Sequence, residues 1–308
     1  MKIVPVITGV CPVVGVPFSE TGDVHLGDVE RMVEYLLRTD IGGIMFPGYA
    51  SEFLKLDDGE RSAIEELLVK MTSGTNVSIV LSVNDHATRS AVARARRLVD
   101  AGADAVNLLP PWQLGASAGD VRAHITSVAS AIAPAPVVIQ HAPNQTGSAL
   151  DADTVRALVL ETPNVRQVKV ESSPPGRMIA ALADGDPGVP AAVGYAGLHM
   201  IDALERGAVC VQPGSSFVEL YLAIWSRWQR GDDEDARDLH TRLTPYLAYW
   251  MQNIELLVAA EKLISYRRGL ITTPKCRRPG WDLDALEVAL VDRFLTEFCD
   301  TLMSESIA

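Results

Sequence analysis

The chain alternates between two kinds of segment. Short β-branched runs are each followed by a longer run whose apolar residues have helical spacing, and the pattern repeats eight times. Pro12–Phe18 (PVVGVPF) precedes GDVERMVEYLLRT, GGIMFPG precedes DDGERSAIEELLVKMT, and VSIVLSV precedes TRSAVARARRLVDAG. DAVNLLPP, PVVIQHAP, NVRQVKVE, VPAAVGY and AVCVQPG open the remaining five units. Each short run is too brief for a helix and too apolar for a sheet that is wet on one face. Such alternation predicts a parallel sheet covered by helices, and eight units in about 230 residues give the count and length of a (β/α)8 (TIM) barrel. A doubly wound open sheet is the competing architecture. It usually carries a glycine-rich nucleotide turn, and neither GxGxxG nor GxxxxGK[ST] occurs. After Gly231 the β-branched runs stop, and the rest reads as helices with Pro245 as a break. The expected organisation is an α/β barrel over 1–230 that carries the active site, with a helical extension over 231–308.

Composition narrows the function. A net charge of −12 disfavours nucleic acid and anionic membrane surfaces, which call for basic patches. No apolar run reaches the roughly 20 residues of a membrane span. MKIVPVITGV is apolar but short and lacks a small-residue cleavage site, so no signal peptide is expected. Cys11, Cys210, Cys276 and Cys299 are far apart without CxxC spacing, which predicts reduced thiols in a cytoplasmic protein.

Lys169 is the residue that asks for chemistry. Of the six lysines it alone interrupts so apolar a run, between Val168 and Val170 in NVRQVKVESS. Side chains alternate along a strand, so valines facing the helices place Lys169 and Glu171 on the inner face. Ser173 and Pro174 read as a helix start, which puts the strand's C-terminal end, where barrel enzymes hold their sites, near Glu171. Loss of hydration there favours the neutral amine that attacks a carbonyl. The competing reading is a lysine that merely pairs with Glu171 at the rim.

VVGVPFSETGDVHL, AGADAVNLLPPW, APNQTG, a sixth strand ending in lysine, and a helical tail with RRPGWDLD resemble, in that order, the dihydrodipicolinate synthase / N-acetylneuraminate lyase superfamily. The resemblance implies that Lys169 forms an imine with the keto group of pyruvate or a 2-keto acid, with no cofactor. It also implies a homotetramer, a dimer of dimers. Departures from the family pattern are informative. The Gly-Thr-Thr-Gly-Glu-like loop after the second strand reads Gly48-Tyr49-Ala50-Ser51-Glu52, with backbone N–H groups around Ala50 and Ser51 as carboxylate donors. The tyrosine pair after the fourth strand becomes Trp112-Gln113. The fifth strand ends in Gln140-His141-Ala142-Pro143, where the family's proton-relaying tyrosine is replaced by a glutamine that cannot ionise. Gln145 stands in place of the arginine of the lysine-biosynthesis enzymes, which argues against an authentic dihydrodipicolinate synthase. SEF after the second strand, the Gln-x-Ala-Pro run and Lys-Val-Glu are more similar to the branch that dehydrates 2-keto-3-deoxy sugar acids such as 2-keto-3-deoxyarabonate.

The expectation is a Schiff-base lyase that works by dehydration or by aldol cleavage and condensation. Lys169, Glu171, Tyr49 and Ser51 are the candidate catalytic groups. Ala50, Gln140, Gly194, Tyr195, Gln212, Trp112 and His141 are the candidate substrate contacts. The plainer alternatives are that Glu171 is only the lysine's salt bridge and that Tyr49 only packs at a subunit interface. His25, His124, His199 and His240 read as surface residues, and no pair has metal-site spacing, so no metal is expected. The competing classes are a barrel that has lost catalysis and serves as a ligand-binding or scaffold protein, and, less favoured, a metal-dependent aldolase with Glu171 and His141 as ligands.

Overall fold

The computed structural model describes residues 3, 6–147 and 150–304. The strands are β1 (Gly9–Val10), β2 (Gly43–Phe46), β3 (Ser78–Val83), β4 (Ala105–Leu108), β5 (Val137–His141), β6 (Val165–Val170), β7 (Ala191–Val193) and β8 (Cys210–Val211). They lie in the order β1-β8-β7-β6-β5-β4-β3-β2 and alternate with helices as a nearly closed (β/α)8 barrel with C-terminal helices. The barrel helices are α1 (Leu26–Leu37), α2 (Asp58–Thr72), α3 (Thr88–Ala101), α4 (Ala118–Ile132), the short α5 (Pro143–Thr146), α6 (Ala152–Glu161), α7 (Gly176–Ala183), α8 (Met200–Glu205) and α9 (Val218–Arg230). Four more follow: α10 (Asp233–Trp250), α11 (Ile254–Arg267), α12 (Ala285–Glu297) and α13 (Cys299–Ser304).

Two compact units divide the chain. One holds 78–195 and 199–211 together with the described residues before Gly9. Here β3 to β8 pair in parallel through a ladder that sets Ser82 beside Asn107 and Gln140 beside Lys169. Val168 and Val170 are fully buried, as strands covered by helices require. Two residues before Lys169, Gln167 accepts hydrogen bonds from the Val6 and Ile7 amides (3.0 and 2.9 Å) and donates to the Ile7 carbonyl (2.9 Å). A buried side-chain amide thereby ties the N-terminal segment to the strand that carries the lysine.

The other unit holds 9–77, 196–198 and the described residues from Gln212 onward. The strand expected over 12–18 does not form. The assigned strand is β1, and within that segment Val13 makes isolated parallel bridges to Met45 and Gly214. Pro12 and Pro17 have no N–H to offer a ladder, which explains the shift. Helix α10 runs through Pro245, where a break was expected. Its buried face (Leu243, Tyr246, Leu247, Trp250) packs into an aromatic cluster in which Phe217 and Trp250 lie 4.9 and 5.3 Å from Phe294. That packing outweighs the one hydrogen bond the proline removes. In the same unit Glu219 is fully buried against Arg268 (2.5 Å) and accepts from the Tyr35 hydroxyl (2.5 Å).

Candidate active site

Strand β6 delivers Lys169 to a nearly dry position, 3 % exposed. Backbone pairing continues one residue past the assigned strand, since the Glu171 amide donates to the His141 carbonyl at 2.7 Å. Glu171 therefore keeps the strand's alternation and shares the lysine's face, with its Oε1 3.4 Å from Lys169 Nζ. Its other oxygen, Oε2, accepts a 2.6 Å hydrogen bond from Gln140 Nε2. Gln140 Oε1 in turn accepts from Asn107 Nδ2 at 2.9 Å, and the same Nδ2 donates to Ser82 Oγ at 3.1 Å. A chain of buried polar side chains thus crosses β3, β4, β5 and β6 and ends at the lysine's carboxylate neighbour.

Gly194 closes this niche. A Cβ at that position would lie 2.4 Å from Glu171 Oε1 and 2.6 Å from its Cγ, so only glycine leaves the carboxylate its place. The next residue, Tyr195, has φ +52°, in the left-handed region. Its hydroxyl accepts hydrogen bonds from Asn144 Nδ2 (3.1 Å) and Gln145 Nε2 (3.3 Å) on α5. Trp112 stacks at a tilt on His86, ring centres 5.0 Å apart. His141 is buried after Gln140, and burial pushes its imidazole down toward the neutral form.

The remaining candidates belong to the second unit. Tyr49, Ala50 and Ser51 form a single 3-10 turn after β2. Ser51 Oγ donates to the Val14 carbonyl (2.6 Å) and accepts from the Gly48 amide (3.0 Å), while the Ser51 amide donates to the Gly48 carbonyl (2.9 Å). The serine hydroxyl and amide are engaged in holding the turn. Tyr49 lies 5.6 Å, ring to ring, from Phe53. Gln212 Nε2 lies 3.6 Å from Cys11 Sγ.

Sequence reading missed Asn107 and Ser82. The signal was available: each is a polar residue inside an apolar strand run (AVNLL, VLSV), the same anomaly that singles out Lys169. It also misplaced several histidines. His124 is buried, with Nδ1 3.0 Å from Thr88 Oγ1, and burial lowers its pKa. His240 is buried with Nε2 3.0 Å from the Gly197 carbonyl, and His199 is half-buried and likewise lowered. His25, its side chain 40 % exposed, lies at the surface as expected and caps α1 by accepting from the Asp28 amide (3.1 Å). The helix expected from Ser173 and Pro174 starts at Gly176, with Pro175 at its cap. Among the described residues, no group of three or more His, Cys, Asp or Glu side chains is arranged to hold a metal, and no helix is long and apolar enough to cross a membrane.

Residues 6–297 match the dihydrodipicolinate synthetase family. The chain belongs to that family. Among its curated relatives is L-2-keto-3-deoxyarabonate dehydratase of Azospirillum brasilense, 24 % identical over 276 residues that cover 88 % of each chain. Another is named "Probable 2-dehydro-3-deoxy-D-pentonate aldolase" of Escherichia coli, 23 % identical over 240 residues, 77 % of this chain and 79 % of that one. Both names describe lyases. The crystal structure of dihydrodipicolinate synthase from Rhodopseudomonas palustris superposes with a TM-score of 0.87 over 96 % of this chain and 99 % of its own, at 23 % identity, a likeness of fold. The family therefore contains dehydratases, aldolases and synthases on one barrel, and side chains must discriminate among them.

Proposed function

We propose that this protein is a Schiff-base lyase acting on pyruvate or a 2-keto-3-deoxy acid, by dehydration or by aldol cleavage and condensation, and that it is not a dihydrodipicolinate synthase. The observation that carries the reading is the pairing of Lys169, buried in the barrel, with Glu171 at 3.4 Å, where a strand of this kind otherwise needs only apolar side chains. In this scheme Lys169 Nζ attacks the keto carbon, and the carbinolamine loses water to give an imine. Glu171 then accepts a proton from C3. The C–H electrons form the C2–C3 double bond, and the imine π pair passes to nitrogen, giving an enamine. From a 2-keto-3-deoxy acid, the enamine electrons expel the C4 hydroxyl, which leaves as water after taking up a proton. If the C4 hydroxyl is deprotonated instead, the C3–C4 bond breaks and its pair is held by the same imine. Gln140 cannot relay a proton, which moves that duty to Glu171 and disfavours the synthase reaction. The dehydratase relative supports the first branch and the aldolase relative the second.

Borohydride reduction with pyruvate, followed by intact mass and peptide mapping, tests the proposal. The expected result is one adduct, on Lys169, absent from Lys169→Arg. No adduct with pyruvate or with longer 2-keto acids overturns it. A product screen with 2-keto-3-deoxy acids then separates dehydration from cleavage.

A further inference from the structure

We propose that Asn107 is a positioning residue whose amide sets the polarity of the Ser82–Asn107–Gln140–Glu171 relay, so that Glu171 presents its Oε1 to Lys169 and the C3 proton. The inference rests on the Schiff-base reading. It concerns a residue two side chains away from the base.

The argument is one of donors and acceptors. An ionised carboxylate only accepts, so the group facing Glu171 Oε2 must be a donor. Gln140 meets that demand only with its Nε2 turned to Glu171, at 2.6 Å, which leaves Oε1 pointing the other way. A buried amide oxygen is stabilised by a donor in its turn. Asn107 Nδ2 supplies one at 2.9 Å, and its second hydrogen goes to Ser82 Oγ at 3.1 Å. Every link is almost fully buried: Ser82, Asn107 and Gln140 are 2, 0 and 3 % exposed, so water cannot stand in for a wrongly turned amide. Asn107 lies on β4, Gln140 on β5 and Glu171 past β6, so three strands hold the relay in register. With Oε2 taken by Gln140 and the Gly194 backbone closing one side, the carboxylate has one orientation, Oε1 toward Lys169. The charged group facing Glu171 is Lys169 on its own strand, while β5 and β7 present Gln140 and Gly194.

Asn107→Asp removes the amide donor without changing size. Gln140 then turns its Nε2 to the new carboxylate and its Oε1 to Glu171, where two acceptors repel. The probe is pyruvate, read in two ways: borohydride trapping, which reports imine formation, and loss of the methyl proton signal in D2O, which reports C3 proton removal. The expected result is trapping within about two-fold of wild type, and maximal exchange lowered at least about ten-fold at a similar half-saturating pyruvate concentration, part of the 10²–10⁴ that a positioned base supplies. The exchange profile of Asn107→Asp should recover toward low pH, where the introduced carboxyl is protonated and donates again; a residue that only fills space gives no such recovery. Asn107→Leu, which removes the donor to Gln140 Oε1 but introduces no competing acceptor, should lose less than Asn107→Asp, and it serves alone if the aspartate variant does not fold. Exchange equal to wild type in both variants, or trapping and exchange lost together in a folded variant, overturns the relay. Wild-type protein that neither traps nor exchanges overturns the Schiff-base reading instead.

Discussion

At the scale of single residues, the site depends on an atom that is missing. Gly194→Ala places a methyl 2.4 Å from Glu171 Oε1, and the flexible member of that clash is the carboxylate. The expected outcome is a fall in pyruvate methyl exchange of about 100-fold, the scale of a 1 Å misplacement of a reacting group, with borohydride trapping on Lys169 retained. Glu171→Gln keeps the shape and removes the base. Exchange should fall by about 10²–10⁴ while the adduct still forms, and NMR in D2O with trapping in parallel measures both. Exchange at wild-type rate in Glu171→Gln would hand the base role to another group. Lys169 and Glu171 were legible because two charges in one strand break an apolar run at the period of 2 that a sheet imposes. Gly194 was legible only as the end of a strand, since the side chain that needs its space comes from another strand.

At the scale of elements, α11 carries a titratable group that no sequence pattern announces. Glu261 lines a small pocket with Ala50, Ser215, Lys262 and Ser265, and burial pushes its carboxyl from 4.5 up to about 7 against the opposing hydrogen bonds of Ser216 and Ser215. Between those values the folded state binds more protons than the unfolded chain. The contribution of Glu261 to stability is therefore fully present below about pH 4.5 and lost as the pH rises through about 7. Wild type should lose on the order of 3 kcal/mol over that range relative to Glu261→Gln, a scale set by 1.36 kcal/mol per pKa unit. Urea unfolding of both proteins at pH 5, 6, 7 and 8 checks it, and parallel pH profiles would refute the assignment. Helical spacing placed α11 correctly, but spacing does not say which of its polar residues is shut away from water. Lys262, on the same helix, is also buried, ion-paired with Glu52 and 4.1 Å from the centre of the Phe18 ring.

At the scale of the whole molecule, the proposed barrel over 1–230 is expected not to be stable without the extension over 231–308. The buried carboxylate of Glu52 is held by Lys262 and Lys55, and Lys262 lies in the extension. Removing 231–308 takes Lys262 from Glu52 and strips the Phe217 ring of its Trp250 and Phe294 neighbours. Loss of one partner of a buried ion pair alone costs about 3–5 kcal/mol, a large part of a domain's net stability. The truncated chain should be insoluble or lack a cooperative melt, and a soluble fragment melting like the full chain would refute this. The homotetramer implied by the family resemblance is tested by light scattering, with an expected mass near four times 33.2 kDa.

What the sequence determined by itself was whatever follows from periodicity and from local chemistry. Eight alternations of short and long apolar patterns specify a helix-covered parallel sheet, because both periods are fixed by backbone geometry. A lysine inside such a strand is forced inward by the same rule. Only the tertiary structure decided which polar groups meet. The relay from Ser82 to Glu171 joins residues up to 89 positions apart through strand register, and register is set by packing around the barrel. The helix through Pro245 and the buried histidines went the same way: in each, burial against distant elements overrode the local preference of the residues.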